Sequence, residues 1–195
     1  MQFKEIMQSR FSCRKFKPEK LSDELVSEIL QITSLSPSSL GLEPWKFVVV
    51  SKERHLKELG DICLGQSQVS GASHAIVINA RIDLGENDAF MQENIARKGD
   101  WLRGICKSRF EKMSSKERFA YASLQCYLAT ANLVNAAKSL GVDSCIVAGA
   151  DFEKLQSWVD LGEAYKSVLV VALGVADAPV SKKMRFSTDK TVLWR

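Results

Sequence analysis

The chain has 195 residues, 46% of them hydrophobic and 26% charged, which is the composition of a folded protein with a sizeable core and excludes a chain disordered throughout. Its 27 Lys and Arg against 23 Asp and Glu give a formal charge of +4, which suits an anionic ligand and is too small to define a nucleic-acid-binding protein. Five scattered cysteines, odd in number and without a CxxC pair, read as reduced thiols of a cytoplasmic protein and not as a disulfide framework.

The N-terminal MQFKEIMQSR has no long apolar stretch, so no secretory signal is expected. KLSDELVSEILQITSLSP reads as a helix capped by Ser22, with Asp23 and Glu24 in its first turn and Leu21 and Val26 placed as a hydrophobic staple; Pro37 stops it. WKFVVVS is a strand by its β-branched run. Ser51 is expected to cap a helix over KERHLKELGDICLG, and HAIVINARI is a second strand. Residues 87–110 are mixed and charged, and are expected to be helical. A long helix runs over 115–139 and ends at Gly141; it is apolar on nearly every side, which predicts burial all round. Its Ser123, Gln125, Thr130, Asn132, Asn135 and Lys138 argue for a core helix and against a membrane span. VDSCIVAG is a third strand, Asp151 caps FEKLQSWVDL, and KSVLVVALG, apolar on both faces, is a central fourth strand. Beyond Gly174 the chain becomes a polar, basic tail ending in an apolar TVLW. Strands and helices mix without strict alternation, so the class is α+β, and 1–195 reads as one domain.

No metal site is expected: there are two histidines, no HExxH and no Cys/His cluster. His74, opening a strand, reads as a hydrogen-bonded structural residue and His55 as solvent-facing. GxSxG, GxGxxG and GxxxxGK[ST] are all absent, so difficult chemistry would come from a cofactor. Three segments remain. In SRFSCRKF, residues 9–16, Arg10, Ser12 and Arg14 would share one side of an extended segment, opposite Phe11 and Cys13. That side could bind a phosphate, but spacing alone favours a solvated basic turn, because exposed charges are common. SPSSLGLEPWKF, residues 36–47, is a helix-to-strand loop. KKMR, residues 182–185, repeats a basic i, i+2 spacing in the tail and by itself is a charge cluster.

Taken in order, SRFSCRKF, SPSSxxxxPWKFVVV, GASHAIVINA, the long helix, GVDSCIVAG, LVVALG and the terminal KxR resemble the FMN-dependent nitroreductase family over about residues 9–186. LQCYLATANLVNAAKSLGVDSCI is also similar to the oxygen-insensitive nitroreductases that activate nitroimidazole prodrugs. The resemblance implies a central mixed sheet flanked by helices and an intertwined homodimer, with tail 175–195 adding to the partner's sheet. It implies FMN at the dimer interface, NAD(P)H as donor, and ping-pong two-electron reduction of nitro compounds or quinones. No side chain need be catalytic, because the flavin carries the chemistry; no nucleic-acid or membrane partner is expected.

By the same resemblance Arg10 and Ser12 contact the FMN phosphate and ribityl end, together with Lys183 and Arg185 as the KxR pair. Arg14 stands near the pyrimidine edge, where its permanent charge would favour the reduced flavin. Ser38, Ser39 and Gly41 reach the flavin from the partner subunit, while Ala148 and Gly149 pass over the ring. The chain departs from the family at Gly41, usually Asn, at Glu43, usually Gln, at Ala148, often Glu, and at Gln68, which falls where many members carry a flavin-edge lysine. Trp101 and Phe110, in the variable helical region, are read as core residues before pocket residues. A related flavoprotein with other chemistry (flavin destruction, dehalogenation), a flavin binder without turnover and a basic nucleic-acid module are the alternatives.

Overall fold

The computed structural model describes residues 2–195. Its framework is a four-stranded sheet of β1 (Trp45–Val50), β2 (His74–Arg81), β3 (Asp143–Val147) and β4 (Tyr165–Gly174), in the order β1-β2-β4-β3. β4, apolar on both faces, lies inside the sheet as its sequence requires. All three ladders are antiparallel. Among the described residues the one parallel contact is an isolated bridge between Ser12 and Ser144, so a mixed character enters only where the N-terminal segment runs beside β3.

Alternation along the strands divides the core into two layers. Ile76, Ile78, Val171 and Leu173 face one way and pack with Val26 and Ile29 of α2 (Asp23–Ser34) and with Cys126, Leu133 and Ala137 of α7 (Ser115–Ser139). Val77, Val170 and Ala172 face the other way, against Leu56 and Leu59 of α3 (Glu53–Ile62) and Leu155 of α8 (Phe152–Val159). Each fully buried aliphatic side chain contributes roughly 1.5–3 kcal/mol. A third cluster gathers Met91 and Ile95 of α5 (Ala89–Lys98), Leu102 and Cys106 of α6 (Trp101–Ser108), and Phe110, around Leu42 and Tyr121. The helical expectation for 87–110 therefore holds. Phe110 is fully buried, whereas Trp101 is 54% exposed and is not the core residue that was expected.

Helix ends follow local chemistry. Ser22 Oγ accepts from the Leu25 amide at 3.2 Å, and Leu21 and Val26 join the same cluster, as a staple requires. Asp151 accepts from the Lys154 amide at 3.1 Å to cap α8. Ser114 and Glu117 close a reciprocal capping box on α7, which ends at Gly141 with φ +81°. Ser51 is not the cap of α3. The strand runs to Val50, the helix begins at Glu53, and the flanking residue is Lys52, which makes no side-chain capping bond.

α7 is also not buried all round: Leu124, Tyr127 and Leu128 form an i, i+3, i+4 stripe that is 64%, 47% and 48% exposed. After β4 the chain turns beside the N-terminal segment. Phe16 bridges Ala176, the Lys17 amide donates to Val175 O, and the Asp177 amide donates to Lys15 O. Gly174 permits this approach, since a β-carbon there would stand 2.8 Å from the Phe16 ring. The tail beyond is exposed apart from Lys183, and includes the short α9 (Thr188–Thr191). Among the described residues no helix is long and apolar enough to cross a membrane.

Candidate cofactor site

The segment after α1 (Phe3–Ser9) runs extended, and its side chains separate as alternation demands. Phe11 and Cys13 are buried, while Arg10 and Ser12 are half-buried and Arg14 is exposed. Ser12 bridges Ser144, and the Cys13 amide donates to Ser144 O at 2.9 Å, which fixes this segment along β3. Lys183, 173 residues further on, donates from Nζ to the Arg10 carbonyl. Withdrawal from solvent, then the nearby Arg10 and Arg185 charges, hold the Lys183 ammonium below its usual value. The structure thus brings Arg10, Lys183 and Arg185 together, with Ser12 and Arg14 on the same side of the strand. Among the described residues none of these four cations has a carboxylate within ion-pair distance. Like charges so gathered repel, and an anion removes that cost. Lys15, by contrast, is exposed and pairs with Asp177 at 2.6 Å.

A second group forms where β3 ends. Gln66 Nε2 donates to Gly149 O at 2.8 Å, and the buried Gln68 donates from Nε2 to Gln66 Oε1 at 2.6 Å. Gln68 is therefore joined to Gly149 through Gln66, which the sequence reading missed; its only signal was an i, i+2 amide pair in GQSQ. Ala148 lines a cavity of about 970 Å³ together with Phe119, Tyr127, Phe152 and Tyr165, between α7, α8 and the start of β4.

The third group is the loop after α2. Ser39–Gly41 form a 3₁₀ turn in which Leu40 and Gly41 both have φ +60°, and Glu43 follows at +54°. Three left-handed residues, two of them not glycine, need restraint from outside the turn. Gln125 Oε1 of α7 accepts from the Ser39 amide at 2.8 Å, and Ser38 Oγ accepts from the Glu43 amide at 2.9 Å. Lys98 Nζ lies 2.9 Å from where a Gly41 β-carbon would stand, so an ammonium group occupies the space that a side chain at 41 would take. Among the described residues no hydrogen bond or ion pair joins this loop to the cations around Arg10. Within one chain, Ser38, Ser39 and Gly41 are a separate station.

The remaining chemistry is structural. His74 Nε2 lies 2.9 Å from Asp23 Oδ1 and its Nδ1 lies 3.0 Å from Ser73 Oγ, which ties β2 to the start of α2. His55 is half-buried and meets Trp158 edge-on, so it is less solvent-facing than expected. All five cysteines are free and buried; burial pushes the thiols of Cys63 and Cys126 up to about 11 and about 12. Among the described residues no group of three or more His, Cys, Asp or Glu could hold a metal ion. The side chains at Arg10, Ser12, Arg14, Lys183 and Arg185 can bind and orient an anion but supply no nucleophile at neutral pH.

The chain is similar to known proteins over nearly its whole length. A Staphylococcus epidermidis protein, provisionally named an NAD(P)H nitroreductase, is 33% identical over 211 residues, covering 95% of this chain and 93% of its own. A Streptococcus pneumoniae protein described as a nitroreductase family protein superposes with a TM-score of 0.86 at 25% identity, covering 100% of both chains. An Exiguobacterium sibiricum structure, described as a provisional nitroreductase in complex with FMN, shares the fold with a TM-score of 0.83 at 22% identity, covering 100% of this chain and 98% of its own. The profile of the nitroreductase family itself matches residues 7–175, which include the Arg10–Arg14 segment, the 36–44 loop and the whole sheet; the chain belongs to that family.

Proposed function

We propose that the chain is an FMN-dependent oxidoreductase that uses NAD(P)H to reduce nitro compounds or quinones in a ping-pong sequence, as a homodimer. The observation that carries this reading is the convergence of Arg10, Lys183 and Arg185, without carboxylate partners, beside the Ser12 hydroxyl. A phosphate monoester fits that donor set, because guanidinium groups pair with its oxygens bidentately and the hydroxyl adds a further donor. When bound, FMN supplies the hydride chemistry between donor and acceptor.

The chain's own residues then have distinct tasks. Arg10, Ser12, Lys183 and Arg185 hold the phosphate and the ribityl end. Arg14, exposed beside them, supplies a permanent positive charge at the pyrimidine edge, where it favours the charge gained on reduction. Gln68, oriented by Gln66, presents a neutral amide on that edge. Ala148 and Gly149 leave the ring face open to close approach. Ser38, Ser39 and Gly41 serve the second subunit's cofactor, which accounts for a strained loop that stands apart from its own chain's cations. Residues 175–185 stay with their own chain, and the apolar end Val192–Trp194 is the part of the tail that reaches the partner; the chain acts as one domain.

The test is the visible spectrum of the purified protein before and after anaerobic addition of NADPH or NADH. A flavin spectrum that bleaches with one donor and recovers with a nitroaromatic or quinone is expected. A colourless protein that takes up no added FMN would overturn the reading.

A further inference from the structure

Ser144 raises a question that the fold does not answer. It is only 1% exposed, and its Oγ has no hydrogen-bond partner. A buried hydroxyl left unpaired is destabilising, so natural proteins seldom keep one without a use. Packing does not require the group: alanine would fill almost the same space on β3.

Its position supplies the use. In a parallel bridge the paired residues point to the same face, so the Ser12–Ser144 bridge sets the two hydroxyls side by side. That is the face shared by Arg10 and Arg14, opposite Phe11 and Cys13. Along β3 the same face carries Ile146, which is 40% exposed, while Cys145 and Val147 are buried in the other layer. Among the described residues Ser12 Oγ also has no hydrogen-bond partner. The buried Ser144 hydroxyl therefore shares a face with the half-buried Ser12 hydroxyl and with Arg10 and Arg14, while Lys183 is held to the Arg10 carbonyl. On α7, which packs against β3, Asn135 Oδ1 is likewise buried without a partner.

We propose that Ser144 is a second hydroxyl of the cofactor seat and that its Oγ donates to an oxygen of the phosphoribityl chain of FMN. The inference rests on the FMN reading and adds to it a residue outside the motifs that suggested it. Ser12 and Ser144 would each bond to the ligand from the one face that they share. The Ser144 hydroxyl finds no partner within its own chain, and a ligand oxygen would supply one.

The test compares wild-type apoprotein with Ser144→Ala by titrating FMN and riboflavin against flavin fluorescence and by melting both apoproteins. The FMN dissociation constant is expected to rise about tenfold in the variant. A loss shared with riboflavin assigns the oxygen to the ribityl chain, and a loss confined to FMN assigns it to the phosphate. The variant apoprotein is expected to melt at the same temperature or higher, because the alanine removes an unpaired donor. An FMN constant within twofold of wild type overturns the proposal. So does a lower melting temperature of the variant apoprotein, since the hydroxyl would then be paired inside the protein. A wild type that binds no FMN removes the cofactor reading and this inference together, whereas a binding wild type with an unchanged variant removes only the role of Ser144.

Discussion

Lys183 carries its charge under adverse conditions: partial burial and the adjacent Arg10 and Arg185 lower its pKa from the ordinary lysine value. Between the lowered folded value and the ordinary unfolded one, the unfolded chain binds more protons, so stability rises with pH across that window. Below that window the charged ammonium opposes folding, and a bound phosphate reverses the effect. Lys183→Met should therefore raise the FMN dissociation constant about tenfold while leaving the apoprotein at least as stable. Fluorescence titration and thermal melts read the two quantities, and an apoprotein clearly destabilised with unchanged FMN affinity would remove Lys183 from the seat. The thiols show the opposite logic, burial without a charge. With Cys63 near 11 and Cys126 near 12, and Cys13, Cys106 and Cys145 also raised, the thiolate fraction at neutral pH is negligible. A disulfide-exchange reagent should label none of the five in the native protein and all five after denaturation; rapid native labelling of Cys13 would contradict the burial.

At the scale of elements, the ends of α7 carry separable energies. Ser114 Oγ accepts from the Glu117 amide, and Glu117 accepts from the Ser114 amide at 2.8 Å. Ser114→Ala should cost about 1 kcal/mol in urea unfolding, with no change in slope. Signals of this kind are legible in a sequence because cap and capped group lie within a few residues, which is why Ser22, Asp151 and Gly141 could be read directly. Ser51 misled because the strand before it runs to Val50 and the helix starts one residue later than its position requires. The exposed stripe of α7 was illegible for another reason: an apolar helix does not announce which of its faces finds a partner within its own chain. Gln66 was missed because its role depends on Gly149, 83 residues away, and no periodicity reports such a contact. The cation group was legible only as fragments, since Arg10 and Lys183 meet through the fold and not through spacing.

For the whole molecule the main question is what covers the apolar surface that the chain leaves open. Leu124, Tyr127 and Leu128 on α7 share this exposure with Val192, Leu193 and Trp194 at the end of the tail, where Trp194 is 91% exposed. Scattered exposed apolar residues are ordinary, but a helical stripe and an apolar tail terminus in one chain suit an interface between copies. The strained Ser38–Glu43 loop, separate from its own chain's cations, points the same way. Leu128→Glu places a charge in the middle of the stripe, where burial would leave it unpaired. Wild type should sediment as a dimer and the variant as a monomer with an intact circular-dichroism spectrum. On the proposal that the partner's loop contributes to each site, the monomer should also lose FMN, although Leu128 lies outside the group around Arg10. Lys183→Met provides the contrast: it should bind FMN about tenfold more weakly and remain dimeric. If Leu128→Glu became monomeric and kept full FMN affinity, each chain would hold its cofactor alone, and the role given to Ser38, Ser39 and Gly41 would fall.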